Sequence, residues 1–218
     1  MEKNVKSEFL VKLIENLAPS QADVRDWVKQ TKKENPSLNK DELAEYIADT
    51  IVWTYTRQGA YLALPGAIPG LGTFVQAAVE AGALSADIAL LVRNQTYLIS
   101  ALSECYGKQG RKVLVQDALI CMGLWTNALS LTKSGAVRIG NKVAGVAFKK
   151  FPAEILKKIN KKVGTTILTK YGTKRGGIAL GKLIPFGVGM LVGGGFNYIT
   201  MKKFASSSRN YLSLKAGK

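Results

Sequence analysis

The sequence predicts an all-α fold: a compact helical bundle with two Gly/Pro-rich apolar helical hairpins and a basic amphipathic helical layer. Three observations predict it. Apolar residues recur at spacings of three and four along most of the chain. The uncharged stretches carry small or helix-starting residues every four positions, as at Gly177, Gly181, Pro185, Gly189 and Gly193, a spacing that stacks them on one helix face. Cations crowd into the second half: residues 1–106 hold 10 Lys/Arg and 13 Asp/Glu, whereas 107–218 hold 21 Lys/Arg against only Asp117 and Glu154.

The first region, 1–58, reads as three amphipathic helices. Phe9, Leu10, Leu13, Ile14 and Leu17 fall at helical spacing, and Pro19-Ser20 separates them from a second stripe of Val24, Trp27 and Val28. Lys32, Lys33 and Asn35 close that helix before Pro36. Asn39 with Glu42 has the form of a capping box, followed by Leu43, Tyr46, Ile47 and Ile51.

An all-helical core is expected over 59–212. It opens on Gly59–Gly72, where Pro69, Gly70 and Gly72 mark a tight turn into an apolar helix running to Tyr106 and ended by Gly107. Ile184-Pro185 before Gly187 and Gly189 echoes Ile68-Pro69 before Gly70 and Gly72, so 59–106 and 176–212 form a similar pair of hairpins. These glycines and prolines are the expected helix-packing or insertion positions, because a face without side chains lets backbones approach closely. Glu80 and Asp87 share a face seven residues apart in apolar surroundings. Buried acids need partners; Arg93, Lys182 and Arg57 are the nearest candidates, and Glu80, Asp87, Arg93 and Lys182 make the expected buried polar network.

A further helix spans 111–131. Residues 133–175 then carry twelve Lys/Arg against one acid, and two basic amphipathic helices are expected, over 136–150 and 153–170. In the second, Lys157, Lys158, Lys161 and Lys162 form a basic band opposite Leu156, Ile159, Val163 and Ile167, the pattern of a helix lying on an anionic membrane or of the solvated face of a bundle. With Lys149, Lys150, Lys174 and Arg175 these are the candidate lipid- or anion-contact residues. A polar-faced terminal helix over 203–214 and a basic tail, 213–218, complete the chain.

Composition narrows the function. A chain that is 47% apolar with a net charge of +16 suits a membrane surface better than free solution. No histidine is present, which removes the usual general base and the commonest metal ligand. Cys105 and Cys121 are remote from each other and read as reduced thiols. The run Gly176–Lys182 matches G-x-x-x-x-G-K, but Leu183 stands where a phosphate loop needs Ser or Thr. Ser130-x-x-Lys133 lacks the companion motifs of acyl-enzyme chemistry. The basic run holds only Phe148, Phe151 and Tyr171 as aromatics, so no nucleic-acid stacking platform is evident. No enzyme, metal or cofactor is expected.

The order of motifs resembles the EcsC family over about residues 40–212. The residues are Ile68-Pro-Gly-Leu-Gly72, an apolar helix carrying Asp87, Glu104-Cys-Tyr-Gly107, Lys161-Lys-Val-Gly164, and a Lys182-Leu-Ile-Pro-Phe-Gly-Val-Gly segment ending at Gly-Gly-Gly-Phe-Asn197. The resemblance implies a bacterial, all-helical, membrane-linked protein, from a family named after a protein encoded beside an ABC transporter implicated in secretion. It transfers no catalytic residues. The expected function is non-enzymatic docking on anionic membrane lipid at the cytoplasmic face, peripheral or partly inserted, in the service of a transport or secretion system. The alternatives are a pore-forming or membrane-disrupting effector and a soluble module for an acidic protein or a transporter domain. Self-association is compatible with each.

Overall fold

The helices of the first region begin where side chains answer otherwise free backbone amides. Ser20 caps a helix over Gln21–Glu34 by accepting from the Asp23 N–H at 3.4 Å. The capping box at Asn39 forms as expected: its Oδ1 accepts from the N–H of Asp41 and Glu42, while Glu42 Oε2 accepts from the Asn39 N–H at 2.8 Å. Beyond the other end of Gln21–Glu34, Asn35 donates from both its backbone and its side chain to the Thr31 carbonyl.

The computed structural model describes residues 11–61, 86–107, 111–134, 136–139, 142–143, 154–159, 161–162 and 188–217. Its helices are α1 (residues 11–17), α2 (Gln21–Glu34), α3 (Lys40–Tyr61), α4 (Ala86–Cys105), α5 (Arg111–Trp125), α6 (residues 154–159) and α7 (Val188–Ala216). The described chain is mostly helical and packs as a compact bundle.

At 29 residues, α7 is about 43 Å long, and the bundle forms around it. It packs most extensively on α3 and also meets α5 and α4, while α2 covers α4. Helices α3 and α7 run antiparallel, as the pairs Glu45–Arg209, Asp49–Lys202, Trp53–Tyr198 and Tyr55–Asn197 show. The contact begins inside the first region, where α3 continues past residue 58 to Tyr61, and α7 itself takes in residues 213–216 of the expected tail. The core gathers Leu13, Ile14 and Leu17 of α1, Val24 and Val28 of α2, Leu43, Ile47 and Ile51 of α3, and Phe204 of α7. Tyr46, placed by its spacing on the apolar stripe of α3, is instead exposed.

Helix α4 is buried on nearly every side, with Leu98, Ile99 and Leu102 inaccessible to solvent. It ends as expected at Gly107, whose φ of +76° is the left-handed conformation that glycine adopts most readily.

Three sequence expectations are corrected. The helix expected over 111–131 stops at Trp125. There Asn127 takes φ +57°, and the Gly123 carbonyl accepts from the N–H of both Ala128 and Leu129, turning the chain out of the helix. The side chain of Leu129 then closes over Gly123 so tightly that a Cβ there would meet Leu129 Cδ1 at 2.5 Å.

The basic helix expected from 136 begins instead as β-structure. Strands β1 (Ser130–Leu131), β2 (Val137–Ile139) and β3 (Lys142–Val143) form an antiparallel meander with Leu131 opposite Val137 and Ile139 opposite Lys142. Val137 is buried and Arg138 exposed, a period of two. Finally, Lys202 and Lys203 do not separate a glycine segment from a terminal helix, because α7 runs through them unbroken.

Candidate functional site

Helix α6 presents the basic band. Lys157, Lys158, Lys161 and Lys162 are all exposed, and Ile155, Leu156 and Ile159 belong to the core. The part of the expected apolar stripe within α6, Leu156 and Ile159, is therefore spent on the protein's own interior, while Val163 and Ile167 lie outside the described residues. Glu154, the one acid in the basic stretch, is exposed beside the band. The other candidate anion contacts, Lys149, Lys150, Lys174 and Arg175, lie outside the described residues.

Of the residues of the expected buried network, Arg93 is exposed on α4. Asp87 falls in the first turn of the same helix, while Glu80 and Lys182 lie outside the described residues. Gly189 and Gly193 are in α7. Pro69, Gly70, Gly72, Gly177, Gly181 and Pro185 lie outside the described residues, as do 62–85 and 176–187 of the two expected hairpins.

A different polar centre is buried instead. Asp117 of α5, 1% exposed, accepts from Lys215 Nζ at 2.7 Å on each oxygen and from the Tyr211 hydroxyl at 2.9 Å. Beside it lie Cys121 and Ser208, both buried. Neighbouring Ser208 favours the thiolate of Cys121, yet the serine Oγ lacks a partner with hydrogen-bond geometry. The two cysteines are free, Cys105 half-buried and Cys121 buried. Burial, followed by the Asp117 charge, raises the pKa of Tyr211, and burial likewise raises that of Cys121. Both groups are neutral when protonated, and their pKa values are higher folded than unfolded. The stability they contribute is fully present below the unfolded values of about 8.5 for Cys and 10 for Tyr and is lost as pH rises. Stability is accordingly expected to decline above about pH 8.5. In an alkaline absorbance titration, Tyr211 should ionise only together with the loss of helical circular dichroism; ionisation in the folded state would contradict its burial.

A second polar region is a cleft of about 550 Å³ where the start of α3, the end of α4 and the last turns of α7 meet, lined by Asn39, Asp41, Glu42, Glu45, Tyr106 and Arg209 among others. Its acids are engaged. Glu45 pairs with Arg209 at 3.1 Å, Asp41 accepts from Tyr106 at 3.0 Å, and Glu42 closes the capping box. Burial and then the hydrogen bond to Asp41 raise the Tyr106 pKa, and Lys40 lies 5.8 Å over its ring. The cleft is a ligature between helix ends. No group of three or more metal-ligating side chains occurs among the described residues.

The polar interior was not visible in the sequence pattern. Gln95 of α4 is wholly buried with neither amide atom paired among the described residues, and Asn197 donates to the Tyr55 carbonyl at 3.3 Å while its own oxygen finds no partner among them. Unpaired buried amides cost about 1–3 kcal/mol each. Only Asn197 had a signal, as the last residue of the glycine segment that carries the family resemblance. No helix among the described residues is long and apolar enough to cross a membrane.

No protein-family model, curated protein or solved structure matches the chain. The resemblance to the EcsC family rests on the quoted residues alone.

Proposed function

We propose that this chain is a non-enzymatic, membrane-associated helical protein that docks on anionic lipid through a basic face, on the cytoplasmic side of the membrane. The observation that carries the reading is the basic band, in which Lys157 and Lys158 of α6 and the helical Lys161 and Lys162 are all exposed while Ile155, Leu156 and Ile159 of α6 face inward. Such a helix attracts an anionic surface by charge and adds no hydrophobic insertion of its own, so binding follows the lipid headgroup and the ionic strength. The charge asymmetry of the chain supports the same reading, since the half after residue 106 carries nearly all the excess cations. The resemblance to the EcsC family supports service to a bacterial transport or secretion system.

Co-sedimentation tests the reading. The protein should pellet with vesicles containing phosphatidylglycerol, bind those of phosphatidylcholine alone weakly, and be released by salt. Equal binding to both, or binding to neither, overturns it. Dye release at the same lipid concentrations would instead assign the protein to membrane disruption.

A further inference from the structure

We infer that Trp53, Tyr198 and Ile199 form an anchor that sits in the headgroup interface of a lipid bilayer, a proposal that rests on the membrane-docking reading. Trp53 of α3 and Ile199 of α7 are more than half exposed, at 51% and 57%, in a bundle whose other large apolar side chains are almost all covered. The rings of Trp53 and Tyr198 stack at 5.1 Å between centroids, tilted by 44°, bridging the two antiparallel helices. An exposed Trp on a half-buried Tyr presents an apolar body and a polar edge, the amphipathic character that places these residues at membrane–water interfaces.

The surroundings select lipid as the occupant. Arg57 stands one turn beyond Trp53 and Lys203 one turn beyond Ile199, both exposed. The aromatic patch is thus flanked by cations suited to anionic headgroups. The same end of the helix pair is where the two longest uncharged runs of the sequence meet the bundle. No charge occurs between Arg57 and Glu80, in the chain leaving α3, or between Lys182 and Lys202, in the chain leading into and along α7. Both runs join the described fold at this end of the α3–α7 pair, at Tyr61 and Val188. Farther along the α3–α7 seam the side chains are ionic, with Asp49–Lys202 and Glu45–Arg209. The seam changes from apolar with cations to paired charge within a few turns, as a bundle meeting a bilayer at one end would.

Fluorescence separates this anchor from the basic band. Trp27 packs on Tyr97 and Trp125 on Phe204, so Trp27→Phe with Trp125→Phe leaves Trp53 as the sole reporter. Vesicles of phosphatidylglycerol mixed with phosphatidylcholine should shift its emission to shorter wavelength, and brominated acyl chains should quench it. In the otherwise native chain, Trp53→Ala should weaken binding to the same vesicles about tenfold, the loss expected for one large apolar group removed from water, while the protein stays folded at the assay temperature, checked by its circular dichroism. Vesicle-bound protein with unshifted Trp53 emission and an unaltered Trp53→Ala affinity overturns the anchor and leaves the basic-face docking standing. Absence of any vesicle binding overturns both. An emission shift that grows with protein concentration without lipid assigns the patch to a second copy of the chain and overturns the lipid proposal.

Discussion

Replacing Lys157, Lys158, Lys161 and Lys162 together by glutamine is expected to weaken binding to phosphatidylglycerol-containing vesicles about a thousandfold. Each cation held near an anionic surface contributes about 1 kcal/mol, and four of them amount to about three decades of affinity. The effect should be confined to binding. All four side chains are exposed, and surface substitutions of this kind usually change stability by less than about 0.5 kcal/mol. Thermal unfolding of the variant should therefore overlay that of the parent. Because Ile155, Leu156 and Ile159 already lie in the core, no hydrophobic insertion by α6 remains to rescue the variant. High salt should erase the difference between the two proteins, since screening weakens what the lysines contribute. A quadruple variant that binds anionic vesicles as tightly as the parent would place the lipid contact elsewhere in the chain.

The sequence was most informative where one residue answers one backbone group. Ser20, the Asn39–Glu42 box and Gly107 each mark a helix end by local chemistry that no tertiary contact needs to override. Spacing identified the buried stripes of α1 and α2 for the same reason. It misled where a short period-two segment sits in a strongly basic run. Val137-Arg-Ile-Gly-Asn-Lys-Val143 contains a Gly-Asn pair between two apolar–basic alternations, a two-residue hairpin signal. Too few residues repeat there for the period to stand out against a helical reading of the whole stretch. The continuity of α7 was hidden for a different reason. Gly193, Gly194 and Gly195 each disfavour a helix by about 1 kcal/mol relative to alanine, and only packing on α3, α4 and α5 compensates.

Polar partners were least legible of all. A residue's type does not say which of its neighbours arrives from a distant helix. Arg93 was a candidate partner for Glu80 and Asp87, yet a helix buried on several sides can still turn one position outward. Lys215 was expected in a solvated basic tail and is instead turned onto α5. That pairing also refines the charge map. Of the two acids after residue 106, Asp117 is internal and matched by Lys215, which leaves Glu154 as the acid of that half at the surface.

The Asp117–Lys215 pair is where a substitution should cost most in stability, and the size of the loss should depend on which partner is left behind. Lys215→Met leaves a carboxylate that is 1% exposed, with the Tyr211 hydroxyl as its remaining hydrogen bond among these partners. Asp117→Ala leaves an ammonium whose side chain is 24% exposed and can turn toward water. Breaking a buried pair costs about 3–5 kcal/mol, chiefly through the charge that stays unmatched. Lys215→Met should therefore fall near the top of that range and Asp117→Ala near the bottom, read as midpoint shifts in urea unfolding at unchanged slope. Asp117→Leu with Lys215→Met removes both charges and should recover most of the loss, because an apolar pair of similar volume avoids the desolvation that the ions incur. Equal small effects from the two single variants, below about 1 kcal/mol as for exposed ion pairs, would show that α7 is held on α5 by its apolar contacts without help from the pair. Trp125 against Phe204, 6.1 Å between ring centroids, would then be the contact to truncate next.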